Sequence, residues 1–496
     1  MKKVILVLLS ATLSFYTASS VASLSPTAAQ TNNTTDSVAQ AIVDKVVAAY
    51  GGDVLLQADS IKVIDYNKGP WPGEGETPTI PELWRINEEL TVDFVGQRKS
   101  LLSYRVPRTT IDLEKWIQQG DQTIVFDILH KKYSEQNWAT FARLGASLER
   151  SSDTLHARRL ASLKGELDYA GDDYFRGRLQ QKLTYVTDSG ERYTYFIDNA
   201  NGLIHKLLRQ HPRAGDLLYV FSNHSTDSKV AFARDMNFFV NGELRLTSVH
   251  RAIELDPDLK TAFQGFDDFT PWGETIDASE LTAKMISDGV YQAGSGRAIT
   301  VFIEQPDHYI AMGAADALAE NFAAVKELSQ QEKPLNYFVV THHHNANVRG
   351  LNNAFALDAS LVVAEQHRAV ILGHVAVDVT DSQVIVVPPR ATFSLGDLKL
   401  IDIATAHARN YLLAYLPAAK MVLAEDHYVT DLKVAKPRIY HDMVRFAAVL
   451  AELDLAVETL VDIRGWRQFS MEEFTQWTRD FTPKTCPPGY TICVNG

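Results

Sequence analysis

Cysteine is nearly absent from this chain: Cys486 and Cys493 are the only two in 496 residues, and they enclose Pro-Pro-Gly-Tyr-Thr-Ile at the C-terminus. A disulfide-stapled scaffold is therefore excluded, and so is a cysteine-based zinc knot, because no second pair stands near them. The pair reads as a small surface disulfide closed in an oxidising compartment. Positive charge is also scarce. Lys and Arg number 48 against 61 Asp and Glu, and the formal net charge of −13 repels nucleic acid and anionic membrane surfaces. No segment beyond the N-terminus approaches the roughly 18 consecutive apolar residues that span a bilayer, so no integral membrane segment is expected in the mature chain. Repeats and low-complexity stretches are missing too.

What is present is ordinary globular material, with 46% hydrophobic and 22% charged residues in a chain long enough for two folded domains. Lys2 and Lys3, the apolar run from Val4 to Tyr16 and the small residues Ser20-Val21-Ala22 read as a secretory signal over residues 1–22, which implies a periplasmic or secreted protein. An uncleaved anchor is the alternative, for which the run is short. No cysteine stands near the cleavage point, so a lipoprotein anchor is not indicated. Residues 23–36 are small and polar and read as a flexible tether.

Asp36 or Ser37 can cap a helix whose apolar positions Val38, Ala41, Ile42, Val46, Ala49 and Tyr50 recur at helical spacing, and Gly51-Gly52 ends it. Strands follow at Leu101–Val106, Leu179–Val186, Arg192–Ile197, Leu203–Leu208, Leu217–Phe221 and Leu244–His250. Residues 37–255 thus read as an antiparallel curved sheet wrapped around one or two helices. The helix ending in Tyr50-Gly51-Gly52 and the turn Asp198-Asn199-Ala200-Asn201-Gly202 between strands resemble the LolA-like family of periplasmic lipoprotein-handling modules. That resemblance implies a concavity for an apolar ligand; a plain structural appendage accounts for the same residues. Residues 256–274, rich in Asp, Pro and Gly, form the expected linker.

From 275 to 482 strands and helices alternate, giving an α/β (α+β) second domain, with 483–496 as a tail. Its apolar strand Tyr337–Val340 delivers Thr341-His342-His343-His344-Asn345-Ala346-Asn347. Two histidines at i and i+2 on a turn after a strand can close on one ion, and neutral imidazole is a good zinc ligand. His343 alternates outward. Downstream, His407 precedes the apolar strand Tyr411–Leu416 and Pro417, and Met421–Ala424 leads to Glu425-Asp426.

Residues from about 281 to 466 resemble the metallo-β-lactamase fold superfamily, whose loop reads Thr-His-x-His-x-Asp-His-x-Gly-Gly; Thr341, His342, His344 and Gly350 match it. The resemblance implies an αββα sandwich in which His342, His344 and His407 hold one metal position and Asp426 bridges to a second. It also exposes departures. Ala346 and Asn347 replace the loop's aspartate and a second-position histidine, Arg464 replaces a late histidine, Met312 an early aspartate, and Glu425 a glycine. The second position keeps only Asp426, which Arg464 can neutralise.

The expected cofactor is therefore one Zn²⁺ on His342, His344, His407 and Asp426, with a water whose pKa falls from about 16 towards 7. Asp426 is the candidate catalytic carboxylate, and the implied activity is hydrolysis of an ester, thioester or amide in a small-molecule substrate. The alternative is a non-catalytic binding or scaffold protein of the cell envelope. His427, Glu365 and His367 read as solvated side chains. Nothing in the sequence specifies an oligomeric state.

Overall fold

The computed structural model describes residues 31–493 except 108–109, 164, 226–227 and 429–430. The expected signal segment and the first part of the tether lie outside the described residues. The second part of the tether is helical, because the opening helix is Thr31–Ala49 and starts before the residues expected to cap it. Its end falls where the glycines place it. Gly51 has φ 114°, and a Cβ there would stand 2.8 Å from the Lys229 carbonyl, so no larger residue fits.

A fourteen-stranded sheet follows, built outward from Ser60–Trp71, which pairs with Glu82–Asp93 on one side and Glu243–Leu255 on the other. One flank continues through Arg98–Val106, Asp112–Gln119, Gln122–Asp127 and Lys132–Glu135. The other runs back through Phe232–Val240, Gly215–Ser225, Ile204–His211, Arg192–Asp198 and Arg178–Val186 to Asp168–Phe175. Leu101, Leu90, Val63, Met236, Phe221, Leu207, Tyr195 and Leu183 come from separate strands, yet they share one core with Val43 and Val46 of the opening helix and Leu160 of Asp153–Ser162. Strands lie about 4.8 Å apart, so a flat sheet this wide would overrun two helices. The sheet curls around them.

The expected linker is not a free connector. Leu259–Ala262 is a short helix whose Thr261 carbonyl accepts from Lys115 Nζ at 2.9 Å, and Thr270–Pro271 adds a parallel strand beside Lys132–Glu135.

The second half has two mixed sheets. One runs Thr282–Ser287, Val290–Ser295, Ala298–Glu304, Tyr309–Gly313, Leu335–Val339, Ser360–Ala364, Val384–Val387; the other runs Thr392–Leu395, Leu398–Ile403, Tyr411–Leu416, Met421–Ala424, Thr459–Asp462, Gln468–Ser470. Val301, Met312 and Val362 of the first meet Leu400, Leu412 and Val461 of the second in a core between the sheets. Phe322 and Val325 of helix Leu318–Ser329 cover the outer face of the first sheet. Phe446 of His441–Glu452 and Phe474 of Met471–Arg479 cover the second. The layers are helix, sheet, sheet, helix.

Two parts of the second half are clasped to the curled sheet. Arg438, in the second half, pairs with Asp112 at 2.8 Å, Glu114 at 3.0 Å and Asp127 at 2.7 Å. Cys486 and Cys493 are disulfide-bonded, and the tail they close packs on the first half: Asn87 Nδ2 donates to the Ile492 carbonyl at 2.7 Å, and Ile492 is buried beside Tyr66, Tyr104 and Leu113.

Candidate metal centre

Strand Leu335–Val339 ends at the edge where the two sheets meet. The Val340 amide donates to the Val362 carbonyl at 3.0 Å, and the Leu412 amide donates to the Thr341 carbonyl at 2.9 Å, so the histidine loop is tied to both sheets at its first residue. That tie brings His342 and His344 beside His407, which precedes Tyr411–Leu416, and beside Asp426, which follows Met421–Ala424. One ligand atom from each of His342, His344, His407 and Asp426 lies within 4.8 Å of all the others. The four residues singled out in the sequence are the four brought together.

Asp426 has φ 64°, a left-handed conformation that Asp tolerates better than most residues. Its Oδ2 lies 3.4 Å from His407 Nε2 and 3.5 Å from His342 Nε2. Its Oδ1 takes a hydrogen bond from Arg464 Nη1 at 3.2 Å, the pairing expected from the sequence. Burial alone would raise the Asp426 pKa, but His407, Arg464 and His344 outweigh it and hold the carboxyl well below the usual range. Burial and the neighbouring histidines lower the His342 pKa as well, far below its usual value, which favours the neutral ring that binds metal.

The partners behind the rings show which nitrogen each turns inward. Thr341 Oγ1 donates to Glu425 Oε2 at 2.6 Å, so it is left to accept from His342 Nδ1 at 3.0 Å, and His342 Nε2 faces Asp426. His407 Nδ1 looks towards Asp442 Oδ2 at 4.0 Å, and its Nε2 meets His344 Nδ1 at 2.9 Å. Two ring nitrogens at that distance, each with its other nitrogen turned to an acceptor, share one proton or one ion. The ring nitrogens Nε2, Nδ1 and Nε2 would serve a tetrahedral Zn²⁺ and leave its fourth position to a water or to the Asp426 carboxylate. The residues present fit the ion.

Groups that cannot ligate stand on the other sides of the cluster. Asn347 is buried with its amide nitrogen 3.0 and 3.2 Å from the two ring nitrogens of His342, and Arg464 occupies the side of Asp426 away from the histidines. Glu425 was expected only as a departure from glycine; it is buried, and that burial, with Asp426 beside it, lifts its pKa to about 7. His427 and His367 are corrections: each is 1% exposed, not solvated. The His427 ring stacks on Phe446, with centroids 4.4 Å apart, and the His367 ring packs 4.5 Å from the buried His343. Their positions next to strands place them between layers. Glu365 is exposed as expected.

A cleft of about 230 Å³ opens onto His407 and Asp426, walled by Tyr440, Asp442 and Met443 from the second half and by Trp84, Pro107 and Thr110 from the curled sheet. The sheet also reaches the histidines, since His344 Nε2 lies 3.0 Å from the Gly75 carbonyl and Glu74 Oε2 lies 3.7 Å from His344 Nδ1. The first-half residues were not foreseen. The histidine loop carries no sign of a contact 269 residues away in sequence.

No protein-family model and no curated protein matches the chain. Among solved structures it is similar to a metallo-β-lactamase from Hirschia baltica, with 14% identity over 40% of this chain and 96% of that one (TM-score 0.31). It is similar likewise to a metallo-β-lactamase from Pseudomonas aeruginosa in a mono-zinc form, with 17% identity over 41% and 96% (TM-score 0.31). A stereoselective inverting sec-alkylsulfatase from Pseudomonas sp. matches with 14% identity over 40% of each chain (TM-score 0.30). Among the described residues, no helix is long and apolar enough to cross a membrane.

Proposed function

We propose that this chain is an exported metal-dependent hydrolase with a metallo-β-lactamase-like αββα domain, using one Zn²⁺ on His342, His344 and His407 against an ester, thioester or amide of small size. The observation that carries the reading is the convergence of one ligand atom from each of His342, His344, His407 and Asp426 within 4.8 Å of one another. The helix–sheet–sheet–helix layering, with the cluster at one edge of both sheets, supports the domain assignment. Export rests on Lys2, Lys3 and the apolar run after them, and the Cys486–Cys493 disulfide agrees with it.

A divalent ion held there supplies Lewis acidity and acidifies a water from about 16 towards 7. The chain's own groups do the rest. Thr341 and Glu425 fix the His342 ring, and Arg464 anchors one Asp426 oxygen. The other oxygen, 3.4 Å from His407 and 3.5 Å from His342, would orient a water, the role for which Ala346 leaves no acid in the histidine loop. The cleft that opens onto His407 and Asp426, with Trp84 and Tyr440 among its walls, would receive the substrate.

Metal analysis of the full chain and of its His342→Ala variant tests this: about one ion in the first and a large loss in the second are expected. Protein purified gently without stoichiometric metal would end the proposal. One observation favours a second reading, in which the domain binds or scaffolds without catalysis: the Arg464–Asp426 pair neutralises the carboxylate with no ion. Turnover of a small ester or thioester, abolished in His407→Ala, would rule that reading out.

A further inference from the structure

The curled sheet of the first half sends a turn between strands Ser60–Trp71 and Glu82–Asp93 onto the histidine loop. The contact is stapled at several points. Asn345 Nδ2 donates to the Pro72 carbonyl at 2.9 Å, the Asn345 amide donates to Glu74 Oε1 at 3.2 Å, and the Arg409 amide donates to the Glu76 carbonyl at 2.9 Å. Between these staples the Gly75 carbonyl meets His344 Nε2 at 3.0 Å. A carbonyl only accepts, so the proton of a neutral His344 ring sits on Nε2, and Nδ1 is left as a lone pair facing His407 and Asp426. The turn has little freedom to be otherwise. A Cβ on Gly75 would stand 1.7 Å from the Ile80 carbonyl oxygen, and one on Gly73, at φ 76°, 2.5 Å from Asn345 Oδ1.

We propose that the Pro72–Glu76 turn is a wall of the metal centre, in which the Gly75 carbonyl sets the His344 tautomer for metal binding and Glu74 presents its carboxylate beside the ligand nitrogen. The first domain is then a working part of the site rather than an appendage: Gly75 and Glu74 are positioning residues, and the cleft at Trp84 and Asp426 is the open approach. This rests on the single-metal reading above.

The test uses the full chain loaded with Zn²⁺, and separately with Co²⁺ as a spectroscopic probe, in wild type, Gly75→Val, Asn345→Ala, Glu74→Ala and Glu74→Gln. Gly75→Val pushes the turn away from His344; Asn345→Ala removes a staple and keeps the glycine, so it serves if Gly75→Val does not fold. Zinc affinity by chelator competition is expected to fall roughly 10–100-fold in Gly75→Val or Asn345→Ala, with altered cobalt absorption bands. Glu74→Gln, which keeps an acceptor for the Asn345 amide, should lie closer to wild type than Glu74→Ala. Wild-type affinity and an unchanged cobalt spectrum in folded Gly75→Val or Asn345→Ala would overturn the inference and leave the metal reading intact. A wild-type chain that binds neither ion would overturn the metal reading itself, and the inference with it.

Discussion

Two buried polar clusters, one in each half, are built from the same kinds of side chain and behave in opposite ways. In the curled sheet, Asp65 and Asp153 are surrounded by groups that donate. Ser248 Oγ donates to Asp65 at 2.7 Å, Tyr50 and the Ala233 amide donate to Asp153 Oδ2 at 2.9 and 2.8 Å, and Arg251 lies 3.4 Å from Asp65 and 3.7 Å from Asp153. Asp153 Oδ1 receives no hydrogen bond beyond that charge. Arg251 Nη1 and Nη2 donate to the Ala233 and Ser151 carbonyls at 2.9 and 2.6 Å, and its buried Nε makes no hydrogen bond. In the second half, His344 Nδ1 faces His407 Nε2 at 2.9 Å, and Asp426 Oδ2 faces His407 and His342 at 3.4 and 3.5 Å. Donors meet acceptors in the first cluster, whereas acceptors converge on one point in the second. Convergence, not the mere presence of buried His and Asp, separates a ligand set from a structural network.

The strongest way to break that comparison is to remove one member of each cluster. Arg251→Ala leaves Asp65 and Asp153 as buried charges without their cation, which costs about 3–5 kcal/mol when a buried pair is broken. Urea unfolding should show that loss with the metal content unchanged. His407→Ala should do the reverse, removing most of the bound metal while the metal-free chain unfolds within about 1 kcal/mol of wild type. Equal destabilisation of the metal-free chains would mean that the histidine cluster is structural as well.

Acid sharpens it next. His156 is 2% exposed beside the first cluster, with Nδ1 3.0 Å from the Tyr195 hydroxyl and Nε2 3.1 Å from the Arg150 carbonyl. Burial, only partly offset by that carbonyl, lowers its pKa to about 4. The unfolded chain titrates near 6.5, so above that pH both states are neutral and nothing changes. As pH falls from 6.5 to 4, the unfolded chain takes a proton that the fold refuses, and stability drops by ~1.4 kcal/mol per unit, about 3 kcal/mol in all. The difference between wild type and His156→Gln in unfolding free energy at pH 7 and pH 4.5 isolates this residue. A parallel pH dependence in both chains would contradict the assignment.

The sequence reached the second cluster more readily than the first for physical reasons. His342 and His344 alternate at the end of an apolar strand, and His407 and Asp426 flank strands buried on both faces, so hydropathy marked the strands, while the grouping of the four residues came from the family resemblance of their spacing. The curled sheet hides its strands because polar groups are buried along them: Asp65 and Asn67 in Ser60–Trp71, Asn87 and Glu88 in Glu82–Asp93, Lys99 and Ser103 in Arg98–Val106. These break the period of two on which a strand is recognised. Helix Asp153–Ser162 was missed for a similar reason, since buried Asp153, Thr154 and His156 occupy its core face. The turn at Gly75 was illegible for another reason: its role comes from a contact between distant parts of the chain, with no local pattern to mark it.

The smallest stability effect falls on the side of Asp426 turned away from the histidines, and there the number of ions bound is more telling than the energy. Arg464 is 24% exposed and pairs with Asp426 at 3.2 Å, so solvent screens the pair and removing it costs at most about 1 kcal/mol. Arg464→His combined with Ala346→Asp and Asn347→His exchanges the cation and the amide for groups that can ligate. Metal analysis should rise from about one ion per chain to about two. Arg464→Gln alone should leave it near one, because Ala346 and Asn347 still offer no second set. An unchanged count in the triple variant would mean that the backbone around Asn347 and Arg464, and not only their side chains, has closed the second position.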